Sequence, residues 1–210
     1  MLTHSYDAGK SEQEWRDWIS QSGKFGVLAV PGAGANEAPI LVPTHFTLVE
    51  NEILLHLHKV NDALPILESG AQVSFSIFGD YAYIPGPWRA KPGDDAANGV
   101  PTSYYAAVNF VCKPTVIADP VQIAHIINAQ MADMQSEGGS KTVDSHQEPF
   151  GPMLAIVRGV RLEILSVDAK FKYDDHKPAE HKERVIQKLL ERAEGADLGA
   201  AKQQQRRMNS

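Results

Sequence analysis

Apolar and polar residues alternate along several short stretches of this chain, and each such stretch predicts a strand with one buried face. Phe25–Val30 is the first. Ile40–Val49 and Ile53–His58 follow, joined by a tight turn at Glu50-Asn51-Glu52, which completes a three-strand meander. Between the first two strands, Pro31-Gly32-Ala33-Gly34-Ala35-Asn36 is too rich in small residues to be anything but a turn. Val73–Phe78 alternates strictly, and Tyr81–Ile84 continues it past a break at Gly79-Asp80. Ser103–Lys113 is a long strand running on beyond Pro114 to Ile117. Met153–Ser166 is the last, with Arg158-Gly159 read as a bulge.

Between the strands the apolar period changes to that of a helix. Ser11 and Glu14 form a capping box, and Trp15, Trp18 and Ile19 then share one face of a helix that stops before Gly23. Asp62 is expected to cap a second short helix with Pro65 at its third position, where a missing N–H costs nothing. Asp119-Pro120 opens a third, with Ile123, Ile126, Ile127 and Met131 on one stripe and Gly138-Gly139 as its stop. Ser140–Pro152 reads as polar loop. Ala179–Ala193 is a helix expected to bury Val185, Ile186, Leu189 and Leu190.

Six strands with turn signals and peripheral helices predict a mostly antiparallel barrel decorated by helices. Residues 1–22 form a helical N-terminal segment, residues 23–195 the barrel domain with its C-terminal helix, and residues 196–210 a disordered tail. The seventeen-residue stretch from Pro85 to Pro101 is a loop long enough to act as a lid. Trp88 within it serves either to cover an aromatic ligand or to pin the loop to the barrel.

Composition narrows the function classes. A 43% hydrophobic and 22% charged chain of 210 residues supports a real core. The net charge of −6 argues against a broad duplex-DNA footprint. The single cysteine, Cys112, excludes an internal disulfide, and its apolar surroundings make it a structural thiol. No apolar run reaches about 18 residues, so no membrane span is expected. The N-terminus lacks the apolar core of a signal peptide, so a cytoplasmic protein is expected.

The chemistry-bearing residues concentrate where the strand Ile53–His58 ends. His56, His58, Lys59 and Asn61 fall within six residues, just before a helix start, which is a candidate anion site. With His45 on the neighbouring strand, three imidazoles stand where a zinc site would need them. No carboxylate or cysteine follows at ligand spacing, so the metal reading is set aside. Thr44, Thr102, Ser103, Tyr104 and Tyr105 offer hydroxyls for a flat polar ligand, or pair across strands. Glu137–Thr142 echoes a P-loop but follows a helix and lacks the glycine spacing. The common hydrolase, metalloprotease and Rossmann motifs are missing.

Six blocks in fixed order resemble the PaiB-like FMN-binding negative transcriptional regulators of the FMN-binding split-barrel superfamily. They are Pro43–Leu48, Leu55–Asn61, Tyr81–Trp88, Val100–Val108, Val157–Ile164 and the segment around Arg184-Val185-Ile186. The resemblance implies a six-stranded antiparallel split barrel that pairs into a homodimer with two FMN sites. It implies isoalloxazine contacts near Thr44 and His45, and phosphate contacts at His56, Lys59 and Asn61. Trp88, Thr102 and Tyr105 would complete the cofactor-binding set, the Thr102–Tyr105 block from the other face of the site or from the partner subunit. The chain departs from the family pattern at Ser103, at Arg89 after Trp88, and at Lys172-Tyr173-Asp174-Asp175-His176, where two aspartates are unfriendly to a phosphate. The leading expectation is an FMN protein, either a small oxidoreductase or a flavin-linked regulator. The rivals are a repressor, although no helix-turn-helix pattern is present, and a haem-binding split barrel with His45, His56 or His58 as axial ligand.

Overall fold

The computed structural model describes every residue except Ala33, Ala35, Asn36 and Ser210. The small-residue turn expected at Pro31–Asn36 therefore lies partly outside the described residues. The strands are β1 (Phe25–Val30), β2 (Ile40–His45), β3 (Thr47–Val49), β4 (Glu52–His58), β5 (Val73–Ile84), β6 (Thr102–Ile117) and β7 (Val157–Lys172). The helices are α1 (Glu12–Gln21), α2 (Leu64–Glu68), α3 (Gly86–Arg89), α4 (Pro120–Met134), α5 (Phe150–Leu154), α6 (Ala179–Arg192) and α7 (Asp197–Met208). A single turn of 3₁₀ helix at Ala96–Asn98 lies between α3 and β6.

Among the described residues the strands form one seven-stranded sheet in the order β2-β1-β5-β6-β7-β4-β3. Six strands were expected. The seventh arises because the run Ile40–Val49 breaks at Phe46 into β2 and β3, which occupy opposite edges of the sheet. One residue therefore joins the two edges, which bends the sheet round at that corner without a ladder closing it. Phe46 is almost wholly buried, its ring 5.1 Å from that of Phe75 on β5, and its N–H donates to the Lys24 carbonyl. Burial of that ring fixes the corner.

The chain divides into two units, and β5, β6 and β7 run through both. The first comprises Lys24–Ile77 and Asn109–Val167. Its antiparallel ladders pair Phe25 with His45 through Val30 with Ile40, and Glu52 with Glu163 through His58 with Val157. The second ladder keeps one register past Arg158-Gly159, so the expected bulge is not there. Gly159 serves a different need: a Cβ on it would lie 2.7 Å from Ile126 Cδ1, so glycine lets α4 sit directly on the sheet. Ile117, Ile123, Ala124, Ile126, Val143 and Leu154 form the core beneath that helix. Asp119 caps α4 by accepting from the Gln122 N–H, with Pro120 in the first turn as expected. The helix ends at Met134, short of Gly138-Gly139. Part of the expected polar loop is the short helix α5, and β7 starts later and runs further than expected.

The second unit comprises Met1–Gly23, Phe78–Val108 and Asp168–Ser210. The capping box forms as read, with the Ser11 hydroxyl accepting from the Glu14 N–H and Trp15, Trp18 and Ile19 buried. Asp80 takes a left-handed φ of 49° inside β5, which is the expected break, and its carboxylate accepts from Trp18 Nε1. The C-terminal stretch expected to be disordered is instead α7. Its hydrophilic sequence hides the reason, because beside Ala200 and Ala201 the residues buried are the polar Asp197, Gln203, Gln204 and Arg207. In α6, Val185, Ile186 and Leu189 are buried as expected, but Leu190 faces solvent.

Candidate functional site

β2 and β4 carry the first half of the expected site, and both belong to the unit built on Lys24–Ile77 and Asn109–Val167. Strand alternation turns the neighbours Thr44 and His45 to opposite faces: Thr44 is buried and His45 half-buried. On β4 the same alternation brings His56 beneath α4, where His45 and His56 meet edge to face with ring centroids 5.0 Å apart. His56 Nδ1 lies 2.8 Å from Gln130 Oε1, while Gln130 Nε2 donates to the Leu54 carbonyl at 3.3 Å. That second bond orients the carboxamide, which makes His56 Nδ1 the donor to Gln130 Oε1. Burial, and then the neighbouring His56, lower the pKa of His45, so it is neutral at physiological pH. The two rings open into a cleft of about 400 Å³ lined also by Ile127, Met131, Met134 and Gln135.

The expected trio of histidines is thus a pair. His58 is exposed, and its Nδ1 accepts from the Val60 N–H instead of joining the cleft. Among the described residues no group of three or more His, Cys, Asp or Glu stands where it could hold a metal ion. Lys59 and Asn61 follow the strand end. Lys59 is exposed, and among the described residues its ammonium has no ion-pair partner. Asn61 is half-buried, and its Oδ1 accepts from the Ala63 N–H. The expected helix start shifts: the cap position is Ala63, not Asp62, Pro65 falls in the first turn, and α2 is only five residues long. A helix of that length adds little dipole to the expected anion site.

The other expected residues lie in the second unit. Thr102 Oγ1 accepts from Lys172 Nζ at 3.0 Å. The half-buried Tyr105 ring has Lys170 Nζ at 5.7 Å and Lys172 Nζ at 5.9 Å from its centroid, a cation–π pair of contacts. Trp88 does not stand free as a cover. The Arg192 guanidinium stacks on its ring at 4.7 Å, and Arg184 donates to the carbonyls of Trp88 and Ala90, so α6 pins the front of this loop.

The two unfriendly aspartates are both neutralised. Arg89 donates to Asp174 through Nε and Nη2, each at 3.1 Å, and Tyr104 and His181 also contact that buried carboxylate. Asp175 is taken by Arg207 at 2.7 Å. Neither carboxylate is therefore left to repel a phosphate. Burial raises the Tyr104 hydroxyl far above its usual range and lowers His181, the latter against the opposing pull of Asp174. Cys112 is fully buried and its thiol is pushed up to about 12, which makes it inert as expected.

Sequence reading missed Gln130 and Lys172. Gln130 stands on the apolar stripe of α4, one turn after Ile126 and Ile127, and a polar residue in that position was the available signal. Lys172 follows Lys170 at strand spacing on β7, which places both on one face.

Residues 1–166 match the model of the family described as "Putative FMN-binding domain". The chain belongs to this FMN-binding family. FMN is thus its cofactor, and the protein is a flavin-binding split barrel, mostly antiparallel β with peripheral helices. Solved structures share the fold at low identity. The flavocytochrome Anf3 from Azotobacter vinelandii is 11% identical, with 82% of this chain and 72% of that one covered and a TM-score of 0.62. The FAD and haem binding protein from Mycobacterium smegmatis is 15% identical over 84% and 78%, with a TM-score of 0.58. A conserved hypothetical protein from Mycobacterium tuberculosis is 18% identical over 85% and 94%, also at 0.58. No curated protein matches the chain. No helix among the described residues is long and apolar enough to cross a membrane.

Proposed function

We propose that this protein is a homodimeric, FMN-dependent oxidoreductase that anchors the flavin phosphate on Lys59 and Asn61. The carrying observation is the family match over residues 1–166, which contains all eight of the expected cofactor-binding residues. In support, Lys59 is exposed and without an ion-pair partner among the described residues, and Asn61 two residues on carries an amide whose oxygen is already taken by the Ala63 N–H. A cation and an amide donor are the groups a phosphate needs. The donor set therefore fits the cofactor.

In this reading the isoalloxazine lies along the strand backbone at Thr44-His45. His56 stands nearby, its Nδ1 engaged with Gln130. The Thr102–Tyr105 block, with Lys172 beside it, serves the flavin bound on the partner subunit. Bound FMN supplies the hydride and electron chemistry, while the protein binds and orients it. In this reading His45, which burial keeps neutral, is available there to accept a proton.

A flavin-linked regulatory role of the PaiB type would use the same cofactor. Direct duplex binding does not fit it well, because 20 Lys and Arg stand against 26 Asp and Glu. The test is the absorption spectrum of the purified protein, followed by anaerobic addition of NADH or NADPH. Flavin bands that bleach with a nicotinamide donor support the oxidoreductase. A Soret band in place of flavin bands would favour haem. A discrete, competitor-resistant gel shift at ~150 mM salt, where non-specific binding is weak, would favour the repressor.

A further inference from the structure

Three arginines fasten the segment 85–101, and they differ in what balances their charge. Arg89 is matched by the Asp174 carboxylate, and its Nη1 donates to the Val100 carbonyl at 2.6 Å. Arg192 lies on the Trp88 ring and is paired with Asp197. Arg184 on α6 has only neutral partners: the Trp88 carbonyl at 3.4 Å, the Ala90 carbonyl at 3.0 Å and His181 Nδ1 at 3.4 Å.

His181 stands between Asp174 and Arg184, and both of its ring nitrogens are committed. A guanidinium can only donate, so Nδ1 carries the lone pair. Nε2, 3.2 Å from an Asp174 oxygen that already accepts from Arg89 and Tyr104, carries the proton. The ring therefore joins these two groups only while it is neutral. We propose that His181 is a proton-sensitive latch: when Nδ1 takes a proton from solvent, Arg184 is released from the Trp88 and Ala90 carbonyls.

Protonation sets an N–H against the N–H groups of Arg184 and puts a second cation beside it. The charged groups acting on the ring are Asp174 from the turn after β7, Arg184 on its own helix and Arg89 from α3. The Tyr104 hydroxyl from β6 shares the Asp174 oxygen. One carboxylate thus faces two guanidiniums, and Arg89 already holds it through two bonds. Arg184, whose contacts here are all neutral, is the group that gives way. Arg89 and Arg192 keep their carboxylates, so the segment loosens at Trp88–Ala90 and stays attached at Val100.

Burial leads the lowering of the His181 pKa, so the closed latch is neutral at physiological pH. With the latch open the ring titrates near its ordinary value of about 6.5. Closure is therefore fully favoured above that value and weakens as pH falls through it. The change is local, and it does not depend on where FMN binds.

The test is hydrogen–deuterium exchange of the full-length protein at about pH 7.5 and about pH 5.0, corrected for the intrinsic pH dependence of exchange. In the wild type, corrected exchange of peptides covering 85–101 should be roughly threefold or more faster at the lower pH, while peptides from α1 and β6 do not change. His181→Gln offers a donor and an acceptor without a charge, and should bring that ratio to about one. Arg184→Ala has no latch to open and should do the same. His176→Gln, at an exposed histidine of the same unit, should keep the wild-type ratio. Imidazole titration of the wild type by NMR should place the His181 midpoint where exchange rises, which tests the latch even if a variant fails to fold. A wild-type ratio of about one, or one unchanged in either latch variant, would overturn the proposal. So would a ratio lost in His176→Gln, a rise shared by α1 and β6, or a His181 midpoint away from the rise.

Discussion

Arg89 and Asp174 clasp one another through two parallel hydrogen bonds of 3.1 Å, the carboxylate all but buried and the guanidinium largely so. Both residues stand where the sequence departs from the PaiB-like pattern, and the structure shows the departures to be one feature: the arginine that replaces an aromatic residue is the partner of the aspartate 85 positions later. The same carboxylate accepts from the Tyr104 hydroxyl, so it also orders the block expected to serve the flavin.

Breaking one side of this pair leaves a buried charge. Arg89→Ala should destabilise the protein by about 3–5 kcal/mol, the range for removing one partner of a buried pair. Adding Asp174→Asn should recover part of that loss, because the orphaned charge is removed. Urea unfolding of the single and double variants measures the coupling. Fully additive losses would show that the two residues act separately.

The C-terminal helix is structural. Arg207 is nearly inaccessible, pairs with Glu14 at 2.6 Å and Asp175 at 2.7 Å, and also donates to the carbonyls of Tyr6 and Ala8. Deleting residues 197–210 should lower the melting temperature strongly, and Arg207→Ala should cost about 3–5 kcal/mol. A differential scanning calorimetry trace unchanged by the deletion would contradict this.

That helix shows where sequence reading stops. The strands, the capping box of α1 and the Asp119-Pro120 start of α4 were legible because hydrophobic period and cap chemistry are local signals. The sequence DLGAAKQQQRRM has no apolar stripe to read. It folds because Arg207 and Gln204 find partners distant in the chain: Arg207 pairs with Glu14, and Gln204 donates to the Tyr104 hydroxyl and to the Tyr173 carbonyl. The break of Ile40–Val49 was equally hidden, since Phe46 falls in step with Ile40 and Val42 at strand spacing yet is the corner between two sheet edges. At the site, residue types near His56 were legible. The division of labour between His56 under α4 and Lys59 in solvent depends on Gln130, whose role only the packed helix reveals.

Acid should destabilise the fold through His45 and His181. Burial leads the lowering of both. As pH falls through the unfolded value near 6.5, the unfolded chain takes up protons that the native state does not yet bind, so stability falls. The loss stops once the pH is below the native values. The melting temperature should therefore drop between about pH 7 and pH 5, and His181→Gln should flatten that slope. An unchanged slope in His181→Gln would exclude it as a contributor.

The proposed dimer has a visible motive in Phe78, Tyr81 and Tyr83 on β5, which are 67%, 56% and 49% exposed. Three large apolar or aromatic side chains along one strand are costly to leave in water. Light scattering at micromolar concentration should give twice the 23.0 kDa chain mass, and Phe78→Glu should shift it toward the monomer. A monomer mass for the wild type would end the homodimer.

The anchoring of FMN by Lys59 is the claim on which most else rests, and fluorescence titration reads it directly. Wild type, Lys59→Ala and Lys91→Ala are each titrated with FMN and with riboflavin, which lacks the phosphate. A charge-assisted bond worth about 1.5–3 kcal/mol predicts at least a tenfold weaker FMN affinity in Lys59→Ala and almost none lost in Lys91→Ala. Riboflavin affinity should be indifferent to Lys59. Equal losses in the two lysine variants, or riboflavin bound as tightly as FMN by the wild type, would contradict the phosphate site at Lys59.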